Sequence, residues 1–196
     1  LYGYGRQSAV DRVEVLYKNL TTGAATDLDD TGWDNFGGFQ GGVATPNYNL
    51  FVFYRKTGLI YGAVGGTSIW SYNTTVDTPM VDVNLSLTYT NIAQGLVHSK
   101  DDIFYVPYDN LIAKNDNGTW NSTALTLPTH FYITSICEMG NNIAIAMAPL
   151  SGAATGQSRV FIWDRNTSLT ELSETIPWEE GLLQILDVVD GYLVGI

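Results

Sequence analysis

"IWSYNTT" (69–75) and "IWDRNTS" (162–168) are two copies of one phrase: Ile-Trp, two variable residues, then Asn-Thr-Thr/Ser. Aligned on Asn73 and Asn166, they lie 93 residues apart, which leaves room for one further copy midway. "AKNDNGT" (113–119) supplies it, with Asn117 at the matching place, and "VLYKNLT" (15–21) offers an earlier copy at Asn19. A second landmark keeps the same rhythm, turn residues followed by an apolar run. It appears as "PNYNLFVFY" (46–54), "SKDDIFYV" (99–106), "MGNNIAIA" (139–146) and "VDGYLVGI" (189–196). Ahead of these runs lie "FQGGVAT" (39–45), "NIAQGLVHS" (91–99), "YITSICE" (132–138) and "LQILDVV" (183–189).

Each unit therefore reads as strand, Asx/Gly turn, strand, longer connection, strand, Asn turn, strand. The strands are short and rich in Ile, Val, Tyr, Phe and Trp, with turn signals between them. Helical periodicity is nearly absent; "ELSETIPWEEGLLQIL" (171–186) comes nearest, and Pro177 interrupts it. Repeated four-stranded units of about 40–50 residues are the signature of propeller blades. The reason is burial: one four-stranded sheet cannot cover both of its faces, so neighbours must stack. The expected fold is all-β, a β-propeller built from four-stranded antiparallel blades. The blades are placed at about 37–88, 90–128 and 131–174, with partial blades at 1–36 and 181–196. Because propellers have typically 4–8 blades, this is expected to be an incomplete segment of a larger propeller. The start at Leu1 and the stop at Ile196 within "GYLVGI" give the same expectation, a longer parent chain or a strand supplied by another subunit.

Composition agrees with a turn-rich β domain. Hydrophobic residues make up 45%, enough for a core, charged residues only 15%, and Gly (20) and Tyr (12) are abundant. A net charge of −11 repels phosphate backbones, so no nucleic-acid partner is expected. No apolar stretch approaches the ~18 residues of a membrane helix, so no membrane insertion is expected either. The single cysteine, Cys137, excludes an internal disulfide and sits in an alternating apolar run, as a buried small hydrophobe would.

Asn73, Asn117 and Asn166 recur between the third and fourth strands, where Asn tolerates positive φ and a following Thr or Ser can bond the turn. Turn chemistry thus explains these N-x-[ST] triplets. Glycosylation of Asn73, Asn117 and Asn166 is the alternative, and Asn84 and Asn121 also lie in such triplets.

No catalytic residue is assigned. His98 and His130 belong to no motif with ligand or triad spacing and read as turn or strand-end residues. Acids cluster at Asp27, Asp29, Asp30 and Asp34, at Asp101 and Asp102, and at Glu179 and Glu180, without forming a convincing pair. First-strand positions carry Gln40, Gly41, Ala93, Gln94, Thr134 and Ser135, which argues against chemistry at a propeller axis. No metal site is assigned and no cofactor is expected. "DLDDTG" (27–32) and "KNDNG" (114–118) match a Ca²⁺ loop only in part, leaving Ca²⁺ as the weaker alternative.

Among the five tryptophans, Trp70 and Trp163 occupy equivalent third-strand places, with Lys114 in the middle copy; Trp33 and Trp178 each precede a first strand. Such rings either fill gaps between blades or stack on sugars. The loop "APLSGAATGQS" (148–158) is the candidate partner contact, or else a plain surface hairpin.

The segment 136–196 resembles repeats in uncharacterised structural proteins of environmental tailed bacteriophages. The likeness rests on Ser158, Val160, Phe161, Trp163 and Asp164, followed by Trp178, Glu179, Glu180 and Gly181, and it covers about a third of the chain. It implies a virion component, in the tail or a host-facing decoration, and transfers no catalytic residue. The expected function is thus a non-enzymatic structural protein of a virus particle with a role in adhesion. Its partners would be other virion proteins, copies of itself, or a host surface glycan. Two alternatives stand beside it. One is a secreted, extracellular propeller lectin that stacks sugars on Trp33, Trp70 and Trp163. The other is a propeller glycoside hydrolase whose catalytic residues lie outside this segment.

Overall fold

The computed structural model describes residues 2–7, 12–18, 25–27, 46–64, 68–73, 81–83, 89–150, 157–172, 176–177 and 186–195. Every regular element among them is a β-strand, and no helix there is long and apolar enough to cross a membrane. The chain forms two compact units, Leu1–Thr88 and Tyr89–Ile196.

The described residues of the first unit form two antiparallel sheets. β1 (Tyr2–Gln7), β2 (Arg12–Lys18) and β3 (Ala25–Asp27) pair in chain order. So do β4 (Pro46–Tyr54), β5 (Leu59–Val64), β6 (Ser68–Asn73) and β7 (Val81–Asp82). The Ile-Trp phrase is the third described strand of its sheet, as expected, but the strands before it differ. The apolar run "LFVFY" (50–54) lies in β4, the first described strand of the sheet and not the second. It alternates, with Leu50, Val52 and Tyr54 buried and Phe53 46% exposed. The strand beside β6 is β5, in the stretch whose pattern predicts connection, and its Ile60, Tyr61, Gly62 and Ala63 are all buried. β5 is hidden in the sequence pattern by the four-residue turn Arg55–Gly58, whose one strong turn residue, Gly58 (φ 70°), stands last. Residues 39–45, expected as a first strand, lie outside the described residues.

In the second unit, β8 (Leu96–Val97), β9 (Phe104–Tyr108), β10 (Leu111–Asp116) and β11 (Thr119–Thr126) form one four-stranded antiparallel sheet. β12 (Phe131–Met139), β13 (Asn142–Pro149), β14 (Gln157–Trp163) and β15 (Leu169–Glu171) form the next, with β16 (Ile176–Pro177) pairing β14. β17 (Leu186–Val189) and β18 (Tyr192–Gly195) make a hairpin. Its Asp190 and Gly191 both have positive φ, 50° and 81°, as a two-residue mirror-image turn requires.

β13 shows why these sheets stack. Its residues Ile143–Pro149 are all buried, although successive side chains point to opposite faces. Ile143, Ile145 and Met147 join Ile133, Ile136, Phe161 and Trp163 of their own sheet against Tyr105, Ile112 and Leu127 of the preceding one. Ala144 and Ala146, with Cys137, pack instead toward Val188 and Leu193 of the β17–β18 hairpin. One face is bulky, the other small, and each has its own neighbour. Each large side chain buried this way contributes about 1.5–3 kcal/mol, which a lone sheet would forfeit on one side.

Candidate functional site

Among the described residues, a cluster of titratable groups sits at one edge of the junction between the β8–β11 and β12–β15 sheets. β8 stops at Val97, and the backbone turns back through residues 98–102, closed by bonds from His98 N to Ile103 O (2.9 Å) and Asp102 N to His98 O (3.0 Å). Two turns of the other sheet face it, Gly140–Asn141 between β12 and β13, and 164–168 between β14 and β15. Ser99 donates its backbone N–H to Glu138 Oε2 at 2.8 Å and its hydroxyl to Glu138 Oε1. Lys100 Nζ donates to Asn141 Oδ1 at 2.7 Å. Arg165 donates through Nε to the Asn141 carbonyl at 2.7 Å and through Nη1 to Asp101 Oδ2.

His98 is wholly buried at the centre of this edge. Its Nδ1 accepts the Lys100 N–H at 3.3 Å and lies 3.6 Å from Asp101 Oδ1. Burial pushes the Tyr105 phenol up, the Asp101 charge adds to that, and its hydrogen bond with Arg165 opposes it. Burial also pushes the Glu138 carboxyl up, but the two Ser99 bonds and the Arg165 charge outweigh it and hold the group below its ordinary value. An imidazole with no exposed atom cannot reach a substrate, and the Asp101 carboxylate is engaged by Arg165. The arrangement is that of a polar clamp between sheets rather than an open acid–base pair.

A second staple lies at the other end of β9. Asp109 (φ 42°) accepts the backbone N–H groups of Thr90 (3.0 Å) and Asn91 (2.8 Å) on Oδ1, and its own carbonyl accepts Ile133 N at 2.6 Å. Asn110 Nδ2 donates to Leu127 O at 2.6 Å. One turn thus ties the entry to its sheet to the first strand of the next. Neither staple was legible beforehand. The only signal for Asp109 is an Asp-Asn pair between two apolar runs.

Trp70 and Trp163 belong to the core. Trp70 and Trp163 are 0% and 1% exposed, so neither offers a ring face to a sugar, which corrects the stacking role considered for them. Trp70 lies over Gly62, its partner across β5 and β6. Trp163 meets Tyr105 edge-on and donates Nε1 to the Asn166 carbonyl at 3.4 Å. Trp33 and Trp178 lie outside the described residues, as do Asn19, Asn84, Asp29, Asp30, Asp34, Glu179 and Glu180.

Of the recurring asparagines, Asn73 ends β6 and is partly exposed, while Asn117 and Asn166 are exposed in turns between third and fourth strands. Asn117 has the expected positive φ of 51°. In the last turn the left-handed residue is Arg165 (φ 70°), not Asn166, because Asp164 builds the turn. Its Oδ1 accepts Asn166 N (2.8 Å) and Ser168 N (2.9 Å). In "KNDNG" the Asn115 Oδ1 is likewise occupied by Gly118 N. Among the described residues no group of three or more His, Cys, Asp or Glu could hold a metal ion. Cys137 is buried as expected, and burial pushes its thiol up to about 11, with Asp187 adding to the effect. The 148–158 loop is described only at its ends; Leu150 is 41% exposed and donates its N–H to His130 O at 2.9 Å.

No family model and no curated protein matches the sequence. Solved structures do match the fold. An ancestral GH74 enzyme superposes with a TM-score of 0.60 at 9% identity, over 95% of this chain and 27% of that one. The Swd1 β-propeller domain of Myceliophteria thermophila gives 0.56 at 7% identity, over 94% and 60%. A protein assigned as a gluconolactonase gives 0.55 at 7% identity, over 98% and 70%. The fold is that of a β-propeller, and the chain spans about a quarter of the GH74 enzyme it resembles.

Proposed function

We propose that the chain is a non-enzymatic stretch of β-propeller that serves as a structural component of a virus particle, in the tail or a host-facing decoration. The observation that carries the non-enzymatic part is the polar edge of the sheet junction. His98, Asp101, Glu138 and Arg165 are engaged in holding turns of neighbouring sheets together, so the cluster is spent on assembly of the fold. The virion part rests on the phage-like repeat in 136–196 and on an acidic surface suited to a soluble particle component. Partners would be other virion proteins or further copies of the chain, met through loops held on a rigid scaffold.

Likeness to a glycoside hydrolase and to a protein assigned as a lactonase gives the enzymatic alternative its footing. Both share only the fold, and folds host many functions. The test is twofold. The purified protein, incubated with a panel of glycosides and sugar lactones, is expected to leave them unchanged; turnover above the blank overturns the non-enzymatic reading. Mass spectrometry of purified particles from the gene's source is expected to find peptides of this chain; their absence overturns the virion reading.

A further inference from the structure

The sequence contains a single Asn-Gly pair, Asn117–Gly118. It forms the two-residue turn between β10 and β11, where Asp116 faces Thr119. With φ of 51° and 90°, it is the mirror-image turn that matches hairpin twist. The ladder makes no use of the Gly118 N–H in such a turn, yet this one donates to Asn115 Oδ1 at 2.7 Å. Asn115 is wholly buried, so its acceptor is held in place, whereas Asn117 is exposed.

An exposed Asn followed by Gly carries its own chemistry. The glycine nitrogen gives its proton to solvent base and attacks Cγ of the Asn. A bond forms between that nitrogen and Cγ, the Cγ–Nδ2 bond breaks, and ammonia leaves with a proton taken back from solvent. Water then adds to either carbonyl of the five-membered imide and opens it to Asp or to isoaspartate. No oxidant or cofactor is needed, and glycine lacks the Cβ that would obstruct the attack.

We propose that Asn117 is a latent deamidation site, held unreactive by the folded turn, and that Asn115 is its positioning guard. The Asn115 bond keeps the proton on the attacking nitrogen, and the paired strands oppose the backbone rotation that brings it to Cγ. Loss of the guard exposes the reaction. Conversion adds a negative charge and, as isoaspartate, an extra backbone methylene that a two-residue turn between paired strands cannot absorb.

Peptide mapping by mass spectrometry after incubation at mildly alkaline pH tests this. In the folded wild type, Asn117 is expected to persist; in urea it converts. Asn115→Ala, shown folded by circular dichroism, is expected to convert about fivefold faster than wild type, the factor set by one ordinary hydrogen bond. Asn115→Asp keeps an acceptor oxygen and is expected to protect as the wild type does. Equal conversion in folded and urea-treated wild type overturns the proposal without any variant. Equal rates in the Ala and Asp variants overturn the guard.

Discussion

The indole of Trp163 stands edge-on to the phenol ring of Tyr105, centroids 5.7 Å apart and planes at 85°. The two residues come from neighbouring sheets, and both are buried within one apolar cluster. Trp163→Ala is therefore expected to lower the stability of the second unit by about 3–5 kcal/mol. Trp163→Phe, which keeps a ring at the junction, should cost less. Urea unfolding followed by circular dichroism gives both values. A loss below 1 kcal/mol for Trp163→Ala would mean that the ring does not join the sheets.

Gly62 is needed because Trp70 covers it. A Cβ at position 62 would lie 2.2 Å from Trp70 Cζ2, far inside contact distance. Gly62→Ala is expected to destabilise by about 1–3 kcal/mol through overpacking. In a Trp70→Leu background the same change should cost much less, giving a nonzero coupling in a double-mutant cycle. Additive costs would show that some other neighbour requires the glycine.

Cys137 reports on the cover that β17 and β18 give their neighbouring sheet. The thiolate is the reacting form, and with the thiol pushed up to about 11 little of it exists at neutral pH. Labelling of the native protein by a thiol reagent should be slow compared with the unfolded chain. Leu193→Ala removes one of the side chains packed on the Cys137 cluster and should speed labelling while the fold persists. Unchanged labelling would contradict that packing.

Glu138 makes the sheet junction sensitive to acid. Its folded carboxyl lies below the ordinary 4.5 despite burial, because the Ser99 bonds and the Arg165 charge favour the ionised form. A depressed carboxyl contributes stability that is present above its unfolded value and is lost as pH falls through its folded value. Glu138→Gln should thus melt below the wild type at pH 7, and the gap should close as pH drops beneath 4.5. A gap that stays constant down to pH 3, below the ordinary carboxylate range, would remove Glu138 from the clamp.

Local rules were enough to read most of the described strands and turns. Short alternating runs separated by Asx and Gly turns imply an all-β repeat, since side-chain period and turn chemistry act over a few residues. The same rules located Asn117 at positive φ and Cys137 in the core. They failed at β5, where a strand followed a turn marked only by its last residue.

What the sequence determined by itself was the repeat: sheets with two apolar faces, which must be stacked to be stable. Tertiary structure decided the uses of individual side chains. Whether Trp163 is a sugar platform or a core ring depends on Tyr105, far away in the chain. The clamp joins Ser99 to Glu138 and Asp101 to Arg165, pairs 39 and 64 residues apart. No local pattern encodes such partners, because they meet only once two separately formed sheets are brought face to face.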